Sequence, residues 1–138
     1  MMKTGELGKV YQDRELIIRQ GEAGDCMFVI QQGQVEILSE KDGKEIRLAV
    51  RGEGEFFGEM AIFEREVRMA TVRALGEVRV LTVDKKNILQ RIHEDPSLAY
   101  RMIQTMSRRI REQSQEVVRL TNLIKEKGAL LDNDVPHR

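Results

Sequence analysis

Glycine divides this chain into two parts that cannot share one kind of secondary structure. Gly21, Gly24, Gly33, Gly43, Gly52, Gly54, Gly58 and Gly76 punctuate the first part, and after them only Gly128 remains. Glycine at such spacing marks turns between short strands, and its near absence leaves room for unbroken helix. A β-rich first half and a helical second half are therefore expected. The chain has 138 residues, 41% of them hydrophobic, which is enough for one domain with a core.

Apolar runs place the strands. Leu16-Ile17-Ile18 is one, and Met27-Phe28-Val29-Ile30 is a second that stops before Gly33. Val35 and Ile37 alternate with polar residues, as do Ile46, Leu48 and Val50 on a return strand. Lys41-Asp42-Gly43 between them supplies a hairpin turn, because Asp and Gly tolerate the positive φ it requires. Thr71–Ala74 and Val78–Val83 read as two more strands around Gly76. Many short strands at this spacing point to a sandwich, barrel or jelly roll.

Lys85 to His93 fits a short helix with Ile88, Leu89 and Ile92 on one side. Asp95-Pro96 then reads as the start of a longer one, with Asp as N-cap and Pro at the first helical position. A helix from about Pro96 to Lys127 would be roughly 45–50 Å long. Ala99, Ile103, Met106, Ile110, Gln113, Val117, Leu120 and Ile124 recur at alternating spacings of four and three, the seam of a heptad repeat. The seam continues too far for a helix that only packs on its own domain, so a parallel homodimeric coiled coil is expected. Gln113 is the one long polar residue in it, and such a residue commonly sets register.

Charge and rare residues exclude several functions. Lys+Arg and Asp+Glu number 23 each, so there is no strong basic field for nucleic acid. Arg101, Arg108, Arg109, Arg111, Arg119, Lys125 and Lys127 read as the solvated face of the long helix. Cys26 is the only cysteine, which excludes an intrachain disulfide and suits the reducing cytoplasm. His93 and His137 are the only histidines, so a His-rich metal centre of the kind enzymes build on jelly rolls is not expected. No Ser/His/Asp or Cys/His grouping suggests nucleophilic catalysis, and an enzyme is not expected. No apolar run reaches membrane-spanning length, and Met1 to Glu6 lacks the apolar stretch of a secretory signal.

The chemistry concentrates in Gly54-Glu55-Phe56-Phe57-Gly58-Glu59-Met60-Ala61-Ile62-Phe63 and Val67-Arg68-Met69-Ala70-Thr71-Val72-Arg73-Ala74. Gly58 allows close approach of backbone to a ligand. Glu59 opens what reads as one helical turn, where backbone N–H groups are free for an anion, and its carboxylate can accept from a sugar hydroxyl. Arg68, nine residues on, can neutralise a phosphate and donate two parallel hydrogen bonds to it. Together they suit a sugar phosphate. The same residues also suit a turn glycine beside a surface ion pair worth ~0–1 kcal/mol, so the pattern alone leaves both readings open.

Phe57-Gly58-Glu59-Met60-Ala61-Ile62 and Val67-Arg68-Met69-Ala70-Thr71-Val72 resemble the phosphate-binding cassette of the cyclic-nucleotide-binding domain family, whose members include the catabolite activator protein and the regulatory subunits of cAMP-dependent protein kinase. Ile17–Asp25, Met27–Ile30 and Gly33–Ile37 resemble the family's first strands, so that four blocks match in order from about Tyr11 to Val83. The resemblance implies a mainly β fold with helices: an eight-stranded jelly roll (a double-stranded β-helix) flanked by short helices and a long C-terminal dimerisation helix. It implies a β-roll over 1–94 with the cassette at 57–72, the long helix over 95–127 and a tail over 128–138. It implies a cyclic-nucleotide site at Gly58, Glu59, Met60, Ala61, Arg68, Met69 and Ala70. Glu59 and Gly58 would take the ribose 2′-hydroxyl. Arg68 would take the cyclic phosphate with the N–H groups of Ala61 and Met69. Gln113 and Ser114 fall where family members contact the base, one of them across the dimer.

Three positions depart from the family's pattern. Arg14 stands where a turn glycine is common, Val67 replaces a proline, and Met69 replaces Ala, Ser or Thr. Met69 offers no hydroxyl to guanine, which favours cAMP over cGMP, and it can crowd the phosphate. The expected function is a cAMP-binding regulatory module that signals through its long helix to a downstream protein. The alternatives are a ligand-free homodimerisation module of the same fold and a transcription regulator truncated before its helix-turn-helix. A DNA-binding domain of that type needs a further ~60–70 residues, and none is expected within this chain.

Overall fold

The structure is a computed structural model that describes residues 8–64 and 67–134, with side chains described as far as residue 129. The expectations for Met1 to Glu6 and for His137 fall outside those residues. Two compact units are distinguished, 1–90 and 91–138.

In the first unit two long antiparallel strands, β3 (Cys26–Lys41) and β6 (Thr71–Asp84), pair from Cys26–Asp84 to Leu38–Thr71. On the outer edge of β6 lie β1 (Lys9–Tyr11) and β2 (Leu16–Ile18), and on that of β3 lie β4 (Lys44–Arg51) and β5 (Phe56–Phe57). Every pairing is antiparallel. The expected breaks at Gly33 and Gly76 are corrected: both glycines lie inside continuous strands. The pairing between β3 and β6 shifts register between Ile30 and Gln34, so each strand turns through the irregularity without ending. The halves of β6 serve different neighbours, β2 at Val72–Arg73 and β1 at Val78–Val80. Six strands are thus described, and the expected eight are recovered when each long strand is counted as two. Strands β1 and β5, three and two residues long, are too short to show alternation in the sequence.

Alternation explains the core. Ile30, Val35, Ala74 and Val80 are fully enclosed, and with Ile18, Phe28, Phe57, Val72 and Val78 they form one cluster. Residues two apart on a strand share a face, which is why Phe28 and Ile30, Val72 and Ala74, and Val78 and Val80 enter it in pairs. The hairpin between β3 and β4 turns at Asp42 (φ +53°) and Gly43 (φ +74°), the consecutive positive φ values of a two-residue turn. Arg14, standing at the turn between β1 and β2, has φ +69°, a conformation that costs an L side chain roughly 1 kcal/mol. Arg14→Gly is therefore expected to raise stability by about 0.5–1 kcal/mol, read as a higher urea midpoint at unchanged m value.

One buried charge sits in this sheet. The Glu36 side chain is 5% exposed and accepts from Arg73 Nε at 3.1 Å and Arg47 Nη2 at 3.2 Å. Arg73 also reaches Glu45 at 3.0 Å. Burial opposes ionisation of Glu36, but the hydrogen bonds from Arg73 and then Arg47 outweigh it, and its pKa lies below the usual carboxylate value. A folded-state pKa below the unfolded one means that this stabilisation is present at neutral pH and lost as pH falls through the folded-state value. Glu36→Gln is expected to cost about 2 kcal/mol at pH 7, chiefly through Arg73 because Arg47 is half exposed. It should also flatten the decline of stability between pH 7 and acid, measured by urea unfolding at each pH.

Helix α1 is the single turn Met60–Phe63, as expected at Glu59. Helix α2 (Lys85–Glu94) starts where Asp84 Oδ1 accepts the Asn87 N–H at 2.8 Å. Helix α3 (Ser97–Asp134) starts at Asp95, whose Oδ1 accepts the Ser97 N–H at 3.2 Å, the capping role read from the sequence. Its end is corrected: it continues through Gly128 to Asp134, where an end near Lys127 was expected. A mid-helix glycine costs only about 1 kcal/mol, and Ala129, Leu130 and Leu131 behind it are good helix formers. On α3 the seam residues Ile103, Ile110, Val117, Leu120 and Ile124 are all exposed. No helix among the described residues is long and apolar enough to cross a membrane.

Candidate functional site

The cassette is anchored by aromatic packing. Phe57, 1% exposed, pairs with Phe28 across β5 and β3, and the two rings stack with centroids 5.2 Å apart. The chain then turns at Gly58, with φ +74°. A β-carbon on Gly58 would stand 3.0 Å from Arg68 Nη1 and 3.0 Å from Ile18 Cδ1. The backbone angle favours glycine there, and a β-carbon would press on both side chains. Glu59 follows as N-cap of α1, half-buried, with its carbonyl accepting from Ile62 N at 2.9 Å. Buried Ala61 and Ile62 hold the turn against the sheet, while Met60 and Phe63 face outward.

Arg68 is brought to this turn from the other end of the cassette. Its Nη1 donates to the Gly58 carbonyl at 2.9 Å and its Nη2 to the Cys26 carbonyl at 2.8 Å. Its guanidinium carbon lies 5.8 Å from the centre of the Phe28 ring. The main chain of Arg68 is held as firmly as its side chain. Arg68 N donates to the Glu22 carbonyl at 2.7 Å, Gly21 N donates to the Arg68 carbonyl at 2.8 Å, and Ala23 bridges Val67. The guanidinium also fills the space that the missing side chain of Gly24 leaves, since a β-carbon there would meet Arg68 Nε.

The structure therefore joins Gly58 and Arg68 directly and sets Glu59 one residue from their contact. The Ala61 N–H, expected to face an anion, lies 3.4 Å from the Gly58 carbonyl, a long and weak bond that a better acceptor can replace. Met69 is 70% exposed beside Arg68, and Ala70 is half-buried. Gln113 and Ser114 are exposed midway along α3, in the second unit.

Cys26 is an unforeseen member of the site. Its sulfur lies 3.7 Å from Arg68 Nη2, and its thiol pKa is raised by burial against the opposing pull of Arg68, with Asp25 adding to the rise. The contacts that place Arg68 use the carbonyls of Glu22, Cys26 and Gly58. Backbone contacts leave no mark on side-chain identity, so sequence offers little signal for them. Among the described residues no group of three or more His, Cys, Asp or Glu could hold a metal ion.

The profile of the cyclic nucleotide-binding domain matches residues 8–95. The chain belongs to that family. It is 32% identical over 115 residues, 82% of its length, to the cAMP-activated global transcriptional regulator CRP of Salmonella typhimurium. It is 39% identical over 97 residues, 69% of its length, to a putative potassium channel protein of Rhodopseudomonas palustris. It spans 55% of the regulator and 23% of the channel protein. The catabolite activator protein of Thermus thermophilus has a similar structure, with a TM-score of 0.73 at 28% identity over 82% of this chain and 54% of that one. The fold is the jelly roll of these proteins, mostly antiparallel β with a long C-terminal helix.

Proposed function

We propose that this chain is a cyclic-nucleotide sensor, with cAMP as its ligand ahead of cGMP, and that α3 carries the signal to a downstream protein. The observation that carries the reading is the Arg68 guanidinium held on the Gly58 carbonyl, next to Glu59. The two carbonyls that hold it are neutral, so its positive charge remains for the single negative charge of a cyclic phosphate. In this reading Arg68 takes the phosphate, helped by the N–H groups of Ala61 and Met69, and Glu59 accepts from the ribose 2′-hydroxyl. Gly58, Met60 and Ala70 shape the wall. Gln113 and Ser114 supply base contacts from α3. Met69 has no hydroxyl for the guanine edge, which supports adenine. The module is regulatory and not catalytic, needs no metal, and works in the cytoplasm.

A thermal-shift series with cAMP, cGMP and cyclic dinucleotides tests this. Stabilisation grows with ligand concentration over the dissociation constant, reaching about 2.7 kcal/mol at one hundred times that constant. The melting temperature should climb steadily with cAMP and less with cGMP. A temperature indifferent to every cyclic nucleotide would leave the second reading, a dimerisation module without ligand.

The exposed apolar seam of α3 supports a homodimer through that helix, over the expected 95–127 segment. Ile110, 64% exposed at the centre of the seam, would be buried between the two helices. Ile110→Asp should convert a dimer to monomers at micromolar concentration in sedimentation velocity, because two carboxylates would meet in a dry interface. A monomeric wild type would refute the seam.

A further inference from the structure

The main chain of Arg68 and Val67 pairs with a short ribbon of backbone, Gly21 to Ala23, and that ribbon follows directly on Gln20. The Gln20 amide pairs with both main-chain groups of Glu40: Nε2 donates to the carbonyl at 2.9 Å, and Oε1 accepts from the N–H at 2.8 Å. The Gln20 N–H donates to Thr71 Oγ1 at 3.0 Å, and that hydroxyl donates to Glu40 Oε2 at 2.7 Å. Gln20, Glu40 and Thr71 thus tie together the end of β2, the end of β3 and the start of β6. The very next residues, Gly21, Glu22 and Ala23, are those that hold Arg68 and Val67.

We propose that Gln20 is a positioning residue for Arg68: by clamping the chain where it leaves β2, it sets the main chain of Arg68 so that the guanidinium reaches the Gly58 and Cys26 carbonyls together. The inference rests on the reading of Arg68 as the phosphate ligand only for its functional consequence. Meeting the Gly58 and Cys26 carbonyls together at 2.9 and 2.8 Å narrows the main-chain positions from which the Arg68 side chain can reach both. Gln20 contributes nothing to the apolar cluster, so it is spare for core packing.

The test is made on the full chain with Gln20→Met, which keeps the length of the side chain and removes both amide bonds, and with Thr71→Val as a second variant. The first readout needs no ligand. Burial raises the Cys26 thiol pKa and Arg68, with Nη2 3.7 Å from the sulfur, pulls it down, so while Cys26 stays equally buried the pH midpoint of its alkylation by iodoacetamide reports where the guanidinium stands. Gln20→Met and Thr71→Val, which keep the Arg68 side chain and shift only its placement, should raise that midpoint. The second readout is cAMP affinity, which Gln20→Met should weaken about tenfold in wild type and leave unchanged in an Arg68→Ala background. A thiol midpoint that stays at the wild-type value in Gln20→Met overturns the proposal. So does an affinity loss of the same size with and without Arg68. If no cyclic nucleotide binds at all, the functional reading fails, and the thiol midpoint alone decides the role of Gln20.

Discussion

Arg68→Ala is expected to weaken cAMP binding by roughly 10- to 150-fold, the loss of a charge-assisted hydrogen-bonded pair worth about 1.5–3 kcal/mol. The size follows from the surroundings of the guanidinium. It is half-buried, backed by the Phe28 ring and held by two carbonyls, so little of its freedom remains to be lost on binding. The substitution also leaves the Gly58 and Cys26 carbonyls without that donor, and the melting temperature should fall by a few degrees. Affinity is therefore compared by competition against a fluorescent cyclic nucleotide well below the transition. An Arg68→Ala protein that binds as tightly as wild type would remove the phosphate role from this residue.

The second large effect is structural. Phe57→Ala is expected to cost about 3–5 kcal/mol, because it empties a fully enclosed site and breaks a ring stack. Phe57 is 1% exposed and meets Phe28 at 5.2 Å, and Phe28 in turn backs Arg68. The cavity would open directly beneath the turn at Gly58. The melting temperature should drop by more than about 10 °C. Phe63→Ala is the control: Phe63 is 62% exposed six residues further on, and its loss should stay within about 0.5 kcal/mol. Similar losses for both variants in urea titration would mean that the aromatic anchor is not where the core places it.

Much of the fold was legible because it follows from periodicity. The bounds of β2 agree with the run Leu16-Ile17-Ile18, and the Asp42-Gly43 hairpin and the Asp95 cap stand where turn and cap chemistry put them. The errors fell where one residue can serve two purposes. Gly33 and Gly76 look like strand ends but sit within strands, because antiparallel partners on both sides carry the ladder through the irregularity. Gly128 looks like a helix stop but is only a mild penalty inside a helix of good formers. The cassette residues were legible as a resemblance, and the structure joins two of them, Gly58 and Arg68. The support beneath them was not legible. The carbonyls of Glu22 and Cys26 and the Gln20 clamp are matters of backbone position, and spacing in the sequence does not reveal which carbonyl a distant guanidinium will find.

The reading as a sensor depends on where on the molecule a cyclic nucleotide sits. A titration of the ¹⁵N-labelled chain with cAMP, followed through its amide resonances, locates that place directly. The amides of Gly58, Glu59, Ala61, Arg68 and Met69 are expected to move furthest and to saturate at one equivalent per chain. Saturable shifts centred elsewhere, with these five amides unmoved, would contradict it.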